Sequence, residues 1–296
     1  MPGHIPVLLS AVLGSFKLES STRVIDATLG AGGHAMAMLD HMSPAGRLLG
    51  IEADPRTLEA TRARFGTMTN RATLVSGNFR KLKEIAAAEN FLQADAVLLD
   101  LGVSSMTFED PERGFSFRFD GPLDMRFDPV HDDITAADLV NGWSEKALAD
   151  CFYGLGEERA SRKIAAAIVE RRKAQEFSRT VDLANVISTV KHPKGKIHPA
   201  TQVFQALRLA VNDELGALTD VLPQIPEVLK DGGQAAIITF HSLEDRIVKR
   251  WMQQAVKAGT IELLEKKPLQ PDEEETKSNP RSRSAKLRLF IKTKTK

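Results

Sequence analysis

Asp26-Ala27-Thr28-Leu29-Gly30-Ala31-Gly32-Gly33-His34 is the stretch that decides how this chain is read. It ends the apolar run Arg23 to Leu29 and opens a helical pattern over His34 to His41, so it is a strand-to-helix turn. Glycines in such a turn let the backbone approach a ligand without a Cβ in the way. Glu52 ends the next expected strand, 22 residues after Gly30. A carboxylate at that place can accept both hydroxyls of an adenosine ribose. Gly30, Gly32 and Ala35 also fit G-x-G-x-x-A, a pattern that serves several adenosine cofactors.

Outward from the turn, short apolar strands alternate with helices. Strands are expected at Arg47 to Ile51, Ala72 to Val75 and Ala94 to Leu101, with helices at Pro55 to Phe65 and Arg80 to Glu89. This alternation predicts βαβ units and an α/β fold with a doubly wound, mostly parallel sheet. From about 106 to 200 the strands stop and helix signals take over. Thr135 with Asp138 has capping-box spacing, Ser144 starts a second helix, and Glu157 to Lys173 and Thr180 to Val190 are periodic. The expected organisation is one α/β domain from residues 1–105 and 201–296, interrupted by a helical insertion over 106–200. After it come a helix over Thr201 to Leu222, a strand over Gln234 to Phe240, and a helix over Ser242 to Val256 capped by Ser242. Two last strands, Ile261 to Leu264 and Leu287 to Ile291, lack a convincing crossover helix, which predicts an antiparallel edge strand. Their linker, Pro268 to Pro280, is expected to be mobile. A dinucleotide fold would continue in parallel βαβ units, so this ending favours S-adenosylmethionine over NAD.

The whole-chain figures narrow the class. The 296 residues carry a net charge of +1 and are 42% hydrophobic and 27% charged, which excludes global disorder. No apolar run reaches the ~20 residues of a membrane span, and the start lacks a signal-peptide pattern. One cysteine, Cys151, excludes an internal disulfide and a Cys-rich zinc site, and no metal cluster is evident. A cytoplasmic enzyme with no membrane partner is the expectation. The sequence leaves the oligomeric state open, a homodimer included.

Charge is unevenly placed. Residues 107–156 hold 11 acids and 4 bases, 157–200 hold 5 acids and 10 bases, and 276–296 hold 8 bases and no acid. One reading is solvated faces and a frayed tail. The other is a local basic surface facing a polyanion. Candidate phosphate contacts are Lys191, Lys194, Lys196 and His198 in one loop, and Arg281, Arg283, Lys286 and Arg288 near the C-terminus. Phe115, Phe117 and Phe119 alternate in an extended segment, so they share a face that either stacks on a base or packs on the core. Arg113, Arg118 and Arg126 lie beside them. Asp100 ends the fourth strand at the switch point where doubly wound sheets bind ligands. His241 ends the fifth, where it either touches the substrate or shapes the turn.

Several of these stretches occur together in one order. They include His4-Ile5-Pro6-Val7-Leu8, Gly30 to His34, Asp100-Leu101-Gly102-Val103-Ser104-Ser105, and Arg113-Gly114-Phe115-Ser116-Phe117-Arg118. They continue with Gly121 to Arg126, Ile197 to Thr201, Phe240 to Arg246, Asn279 to Ser282 and Ser284 to Arg288. In this the chain resembles, nearly end to end, the RsmH (MraW) family of small-subunit ribosomal RNA cytosine-N4 methyltransferases. The resemblance implies a class I, Rossmann-like methyltransferase domain with a helical substrate-recognition insertion. It implies S-adenosylmethionine as methyl donor and N4 of one cytidine in the decoding region of 16S ribosomal RNA as acceptor, on naked RNA or an assembled small subunit. By position, it puts cofactor contacts on Gly32, Gly33, His34, Glu52, Phe79, Asp100 and Thr107. The family usually has Asp where this chain has Glu52 and Gln where it has Thr107.

The residues suit that chemistry. The cytosine amine is a poor nucleophile, so a site must orient its N–H bonds and take up a proton. Asp100 and His241 are the candidates for this. Methylation at C5 would need a cysteine thiolate, and Cys151, in an expected insertion helix, is the only thiol. Three other readings stay open: methylation of another amine, an NAD-dependent oxidoreductase, and a noncatalytic RNA-binding assembly factor.

Overall fold

Side chains along the strands alternate between two buried apolar layers, and this alternation fixes the sheet as the middle of a sandwich. The computed structural model describes residues 5–193 and 198–294. The strands are β1 (Arg23–Asp26), β2 (Arg47–Glu52), β3 (Ala72–Ser76), β4 (Ala94–Asp100), β5 (Leu229–Thr239), β6 (Ile261–Leu263) and β7 (Lys286–Lys292). Ile25, Val97, Leu99 and Ile237 face one layer, and Val24, Leu98, Ala236 and Ile238 face the other. Burying each large aliphatic side chain contributes about 1.5–3 kcal/mol, so both faces must be covered by helices.

The seven-stranded sheet runs β3-β2-β1-β4-β5-β7-β6. The first five strands in that order pair in parallel. The expected antiparallel pairing is at the β6 side, where β7 runs against both β5 and β6. The strand that reverses is thus inserted beside the outermost one.

The chain divides into two compact units, Met1–Ser104 with Leu215–Lys296, and Ser105–Glu214. The helical unit reaches 14 residues beyond the expected boundary at 200, because the helix Thr201–Val211 packs on the helices Glu145–Gly154 and Ala136–Gly142. The single helix expected from Thr201 to Leu222 is two. Asn212 ends the first by bonding the Met125 carbonyl at 2.8 Å and the Phe127 N–H at 2.7 Å, and Asp213 then takes φ 44°.

Other expectations are corrected in the same way. The helix expected from Glu157 starts at Ser161, since Glu157 has φ 51° and Glu158 accepts the Ala160 N–H at 2.8 Å. β5 begins five residues early, with Leu229 paired to Ala94 across a register shift. The residue that caps the helix Ser242–Lys257 is His241, not Ser242, and Glu244 completes its capping box. The linker Pro268 to Pro280 is ordered. It contains the helix Glu273–Ser278 and a bridge from Leu269 to Leu287. Its Glu275 accepts the Leu8 N–H at 2.6 Å, and Asn279 Nδ2 donates to the Ile5 carbonyl at 3.0 Å. The two distant motifs therefore form one strap.

Candidate active site

Parallel strands put their carboxyl ends on one side, and there β1 ends in Asp26, β2 in Glu52 and β4 in Asp100. The glycine turn crosses this end. Gly30 and Gly32 take φ 52° and 78°, a left-handed conformation that side chains resist, and Gly32 caps the helix Gly33–His41. Gly33 is needed for another reason: a Cβ there would lie 2.6 Å from Pro6. The N-terminal strap thus presses directly on the turn.

Each acid has its own hydrogen bonds. Glu52 accepts from the N–H groups of Gly30 at 2.8 Å and Asp54 at 2.9 Å, one on each carboxylate oxygen. Each oxygen keeps a lone pair for a further donor. Burial still dominates and pushes Glu52 up to about 7. Burial likewise pushes Asp26 up to about 6, against the pull of His34 and the Thr28 N–H. Thr28 also links the strand ends, since its Oγ1 accepts the Asp100 N–H at 2.6 Å.

His34 is buried, with Nε2 3.5 Å from Asp100 Oδ2. Burial alone would lower its pKa, but the Asp100 and Asp26 carboxylates outweigh that and raise it above 6.5. Both His34 ring nitrogens and Asp100 Oδ1 are buried without a hydrogen-bond partner. Buried polar atoms are nearly always satisfied, so orphans converging at one strand end mark a place for a polar ligand. A sulfonium and an ammonium fit beside these acids, and ribose hydroxyls fit the remaining lone pairs of Glu52. The residues present therefore suit S-adenosylmethionine. Phe79 is half-buried just beyond β3, the strand next to Glu52, in the turn capped by Asn78.

His241 follows β5. Its Nδ1 accepts the Glu244 N–H at 3.4 Å, and its Nε2 lies 3.1 Å from Glu244 Oε1. Glu244 itself is buried and accepts the Phe240 N–H at 2.8 Å. Sequence reasoning missed Glu244, although its place three residues after His241 fits a capping box.

The expected substrate residues differ in burial and in partners. Arg113 is buried, and its guanidinium bonds the carbonyls of Arg126 at 2.8 Å and Phe127 at 3.1 Å. It braces its own unit rather than reaching into solvent. Phe115, Phe117 and Phe119 do not share one environment. Phe115 is buried against Phe127, Phe117 stacks on His198 at 4.4 Å, and Phe119 is exposed. Arg118, Arg281 and Arg283 are exposed. Lys286 and Arg288 both bond Asp245, at 2.9 and 2.8 Å. That pairing outweighs the effect of burial and lowers the Asp245 pKa. Lys191 is bound to Glu158 and Gln202. Lys194 and Lys196 lie outside the described residues, as do His4 and Ile197. Thr107 is buried in the helical unit.

The order β3-β2-β1-β4-β5-β7-β6 separates this sheet from the dinucleotide folds, whose strands continue in parallel. Its reversed strand and the acid-lined end beside the glycine turn define a class I, S-adenosylmethionine-dependent methyltransferase. The chain belongs to the MraW methylase family, whose model matches residues 1–293. It is 44% identical to the ribosomal RNA small subunit methyltransferase H of Methylobacterium nodulans, over 99% of this chain and 91% of the relative. The enzyme of that name from Methylorubrum extorquens is 45% identical, over 98% and 86%. The one from Thermomicrobium roseum is 44% identical, over 96% and 92%.

Proposed function

We propose that this methyltransferase acts on small-subunit ribosomal RNA, and that the acceptor is N4 of a cytidine in the decoding region. The observation that carries the choice of atom is Asp100 Oδ1, a buried carboxylate oxygen with no partner at the end of β4. An exocyclic amine can donate one N–H to it, which turns the nitrogen lone pair toward the methyl group. The names of the full-length relatives support the RNA.

The cofactor, when bound, supplies an electrophilic methyl group on a sulfonium. The chain's work is positioning and proton handling. Glu52 would hold the ribose hydroxyls, and Gly32, Gly33 and Phe79 would lie against the nucleoside. Thr107 stands where the family has Gln. Asp100 Oδ1 accepts the amine N–H and takes its proton, with the His34 charge beside it. His241, at the next strand end, is the second candidate for moving that proton. The target base must leave its stack to reach this place.

Cys151 supports nitrogen over C5 as the acceptor. It is buried, its Sγ faces the Ala206 carbonyl at 3.8 Å, and burial pushes its thiol up to about 12. A thiol that does not ionise cannot attack C6 of a pyrimidine. Arg118, Phe117 with His198, Arg281 and Arg283 are proposed RNA contacts, with Lys194 and Lys196. The substrate implies a cytoplasmic location. Among the described residues, no helix is long and apolar enough to cross a membrane.

The test uses labelled S-adenosylmethionine and small ribosomal subunits lacking their native methylation, with the RNA digested to nucleosides afterwards. Label in N4-methylcytidine is expected. Label in another nucleoside, or none with cofactor binding intact, overturns the reading.

A further inference from the structure

We propose that the turn between the helices Glu145–Gly154 and Ser161–Arg172 is a second RNA contact, with Tyr153 as a stacking platform for a base and Arg159, Arg162 and Lys163 as phosphate contacts. The proposal rests on RNA being the substrate and adds a surface that the strand ends do not include.

The turn is tightly closed. The N–H groups of Gly156 and Glu158 both donate to the Phe152 carbonyl, at 3.2 and 3.0 Å. Phe152 and Glu158 are therefore neighbours, and both are buried. Tyr153, the chain's one tyrosine, is 66% exposed, and Arg159, next to Glu158 in the chain, is exposed as well. Arg162 and Lys163, three and four residues further on, are exposed in the first turn of the following helix.

Other bases of this helix and its surroundings are engaged. Arg172 bonds the Val140 carbonyl, Arg171 bonds Gln175, Lys173 pairs with Glu170, and Lys191 pairs with Glu158. Among the described residues, Arg159, Arg162 and Lys163 have no such partner. The one exposed acid between residues 153 and 163 is Glu157. The position of Arg162 and Lys163 is also unfavourable for the fold. Positive charge in a first helical turn opposes the helix dipole, and this turn has neither an acid nor a side-chain cap. A sequence chosen for stability alone would place Asp or Glu there. Local rules broken in this way mark a demand other than stability. An exposed aromatic ring among unpaired bases suits single-stranded RNA, because a ring stacks on any base face and the cations reach the phosphates.

The test is fluorescence anisotropy of the full chain with a labelled single-stranded oligoribonucleotide of mixed sequence. The variants are Tyr153→Leu, Tyr153→Phe, and the triple Arg159→Gln, Arg162→Gln, Lys163→Gln. The triple variant is expected to lower the slope of log affinity against log salt by about 2, at ~0.7 for each phosphate no longer neutralised. Tyr153→Leu is expected to weaken binding at least about fivefold, with Tyr153→Phe close to the parent. With small subunits as substrate, KM should rise while the Kd for S-adenosylhomocysteine stays unchanged. Parent-like binding by either the triple variant or Tyr153→Leu overturns the proposal, as does a parent that does not bind the oligonucleotide. A parent that methylates subunits while the patch variants match it sinks this surface alone. A parent that binds through the patch but methylates no ribosomal RNA sinks the proposed function alone.

Discussion

His34 Nε2 and Asp100 Oδ2 lie 3.5 Å apart at the ends of elements separated by 66 residues of chain, too far for a good hydrogen bond and near enough for strong charge coupling. The pair thus leaves its remaining polar atoms free for a ligand. In Asp100→Asn the His34 pKa should fall, because the carboxylate that raises it is gone. The turnover number should fall by about 100-fold, the size of a lost general base. Ring-proton NMR and single-turnover methyl transfer read the two effects. Full turnover in this variant would remove Asp100 from the chemistry.

His241→Asn separates capping from proton transfer, since Asn is a good N-cap but a poor proton relay. The melting temperature should stay near the parent's while turnover falls about tenfold. Unchanged turnover would leave His241 as a cap only.

Glu52 should give cofactor binding and stability opposite pH dependences. Its pKa is raised from 4.5 to about 7, so the uncharged acid is favoured in the free protein. That contribution to stability is full below about pH 4.5 and is lost as pH rises through about 7. Asp26, raised to about 6, adds in the same direction. Ribose hydroxyls favour the carboxylate, so affinity for S-adenosylhomocysteine should improve as pH rises through about 7. Calorimetry on Glu52→Gln should show that step removed. A step that survives the substitution belongs to another group.

Cys151→Ser should keep methyl transfer within about twofold, at a stability cost of about 1 kcal/mol for a polar change at a buried site. The native thiol, pushed up to about 12, should resist a disulfide reagent until the chain is unfolded. Loss of activity in a folded Cys151→Ser protein would contradict nitrogen methylation.

Gly121→Ala should destabilise the helical unit by more than about 2 kcal/mol, because a Cβ there would lie 1.9 Å from the Pro111 carbonyl oxygen. Gly121 also bonds Thr180 through both its N–H and its carbonyl, at 3.1 and 2.9 Å. A denaturant midpoint equal to the parent's would refute this account.

Much of this molecule was legible from local pattern. The strand-to-helix alternation, the glycine turn, the capping box of Thr135 with Asp138 and the place of Asp100 at the end of β4 stand as read. Each depends on residues within a few positions of one another. The misreadings have physical causes too. His241 takes the cap expected of Ser242 because its ring accepts the Glu244 N–H while the Glu244 carboxylate accepts the His241 N–H. The linker before Pro280 looked mobile because its partners, Ile5 and Leu8, stand more than 260 residues away. Arg113, Lys286 and Arg288 looked free for phosphate, but carbonyls and Asp245 had taken them.

The sequence by itself determined the α/β order, the glycine-rich strand-to-helix turn and the family motifs, because side-chain period and turn chemistry are short-range properties. Tertiary structure alone decided which charges are buried, paired or free. Glu52 against Gly30 and His34 against Asp100 arise only when segments distant in the chain meet. The energy of a charge depends on that company and on the water it has lost, and neither is written in its immediate neighbours.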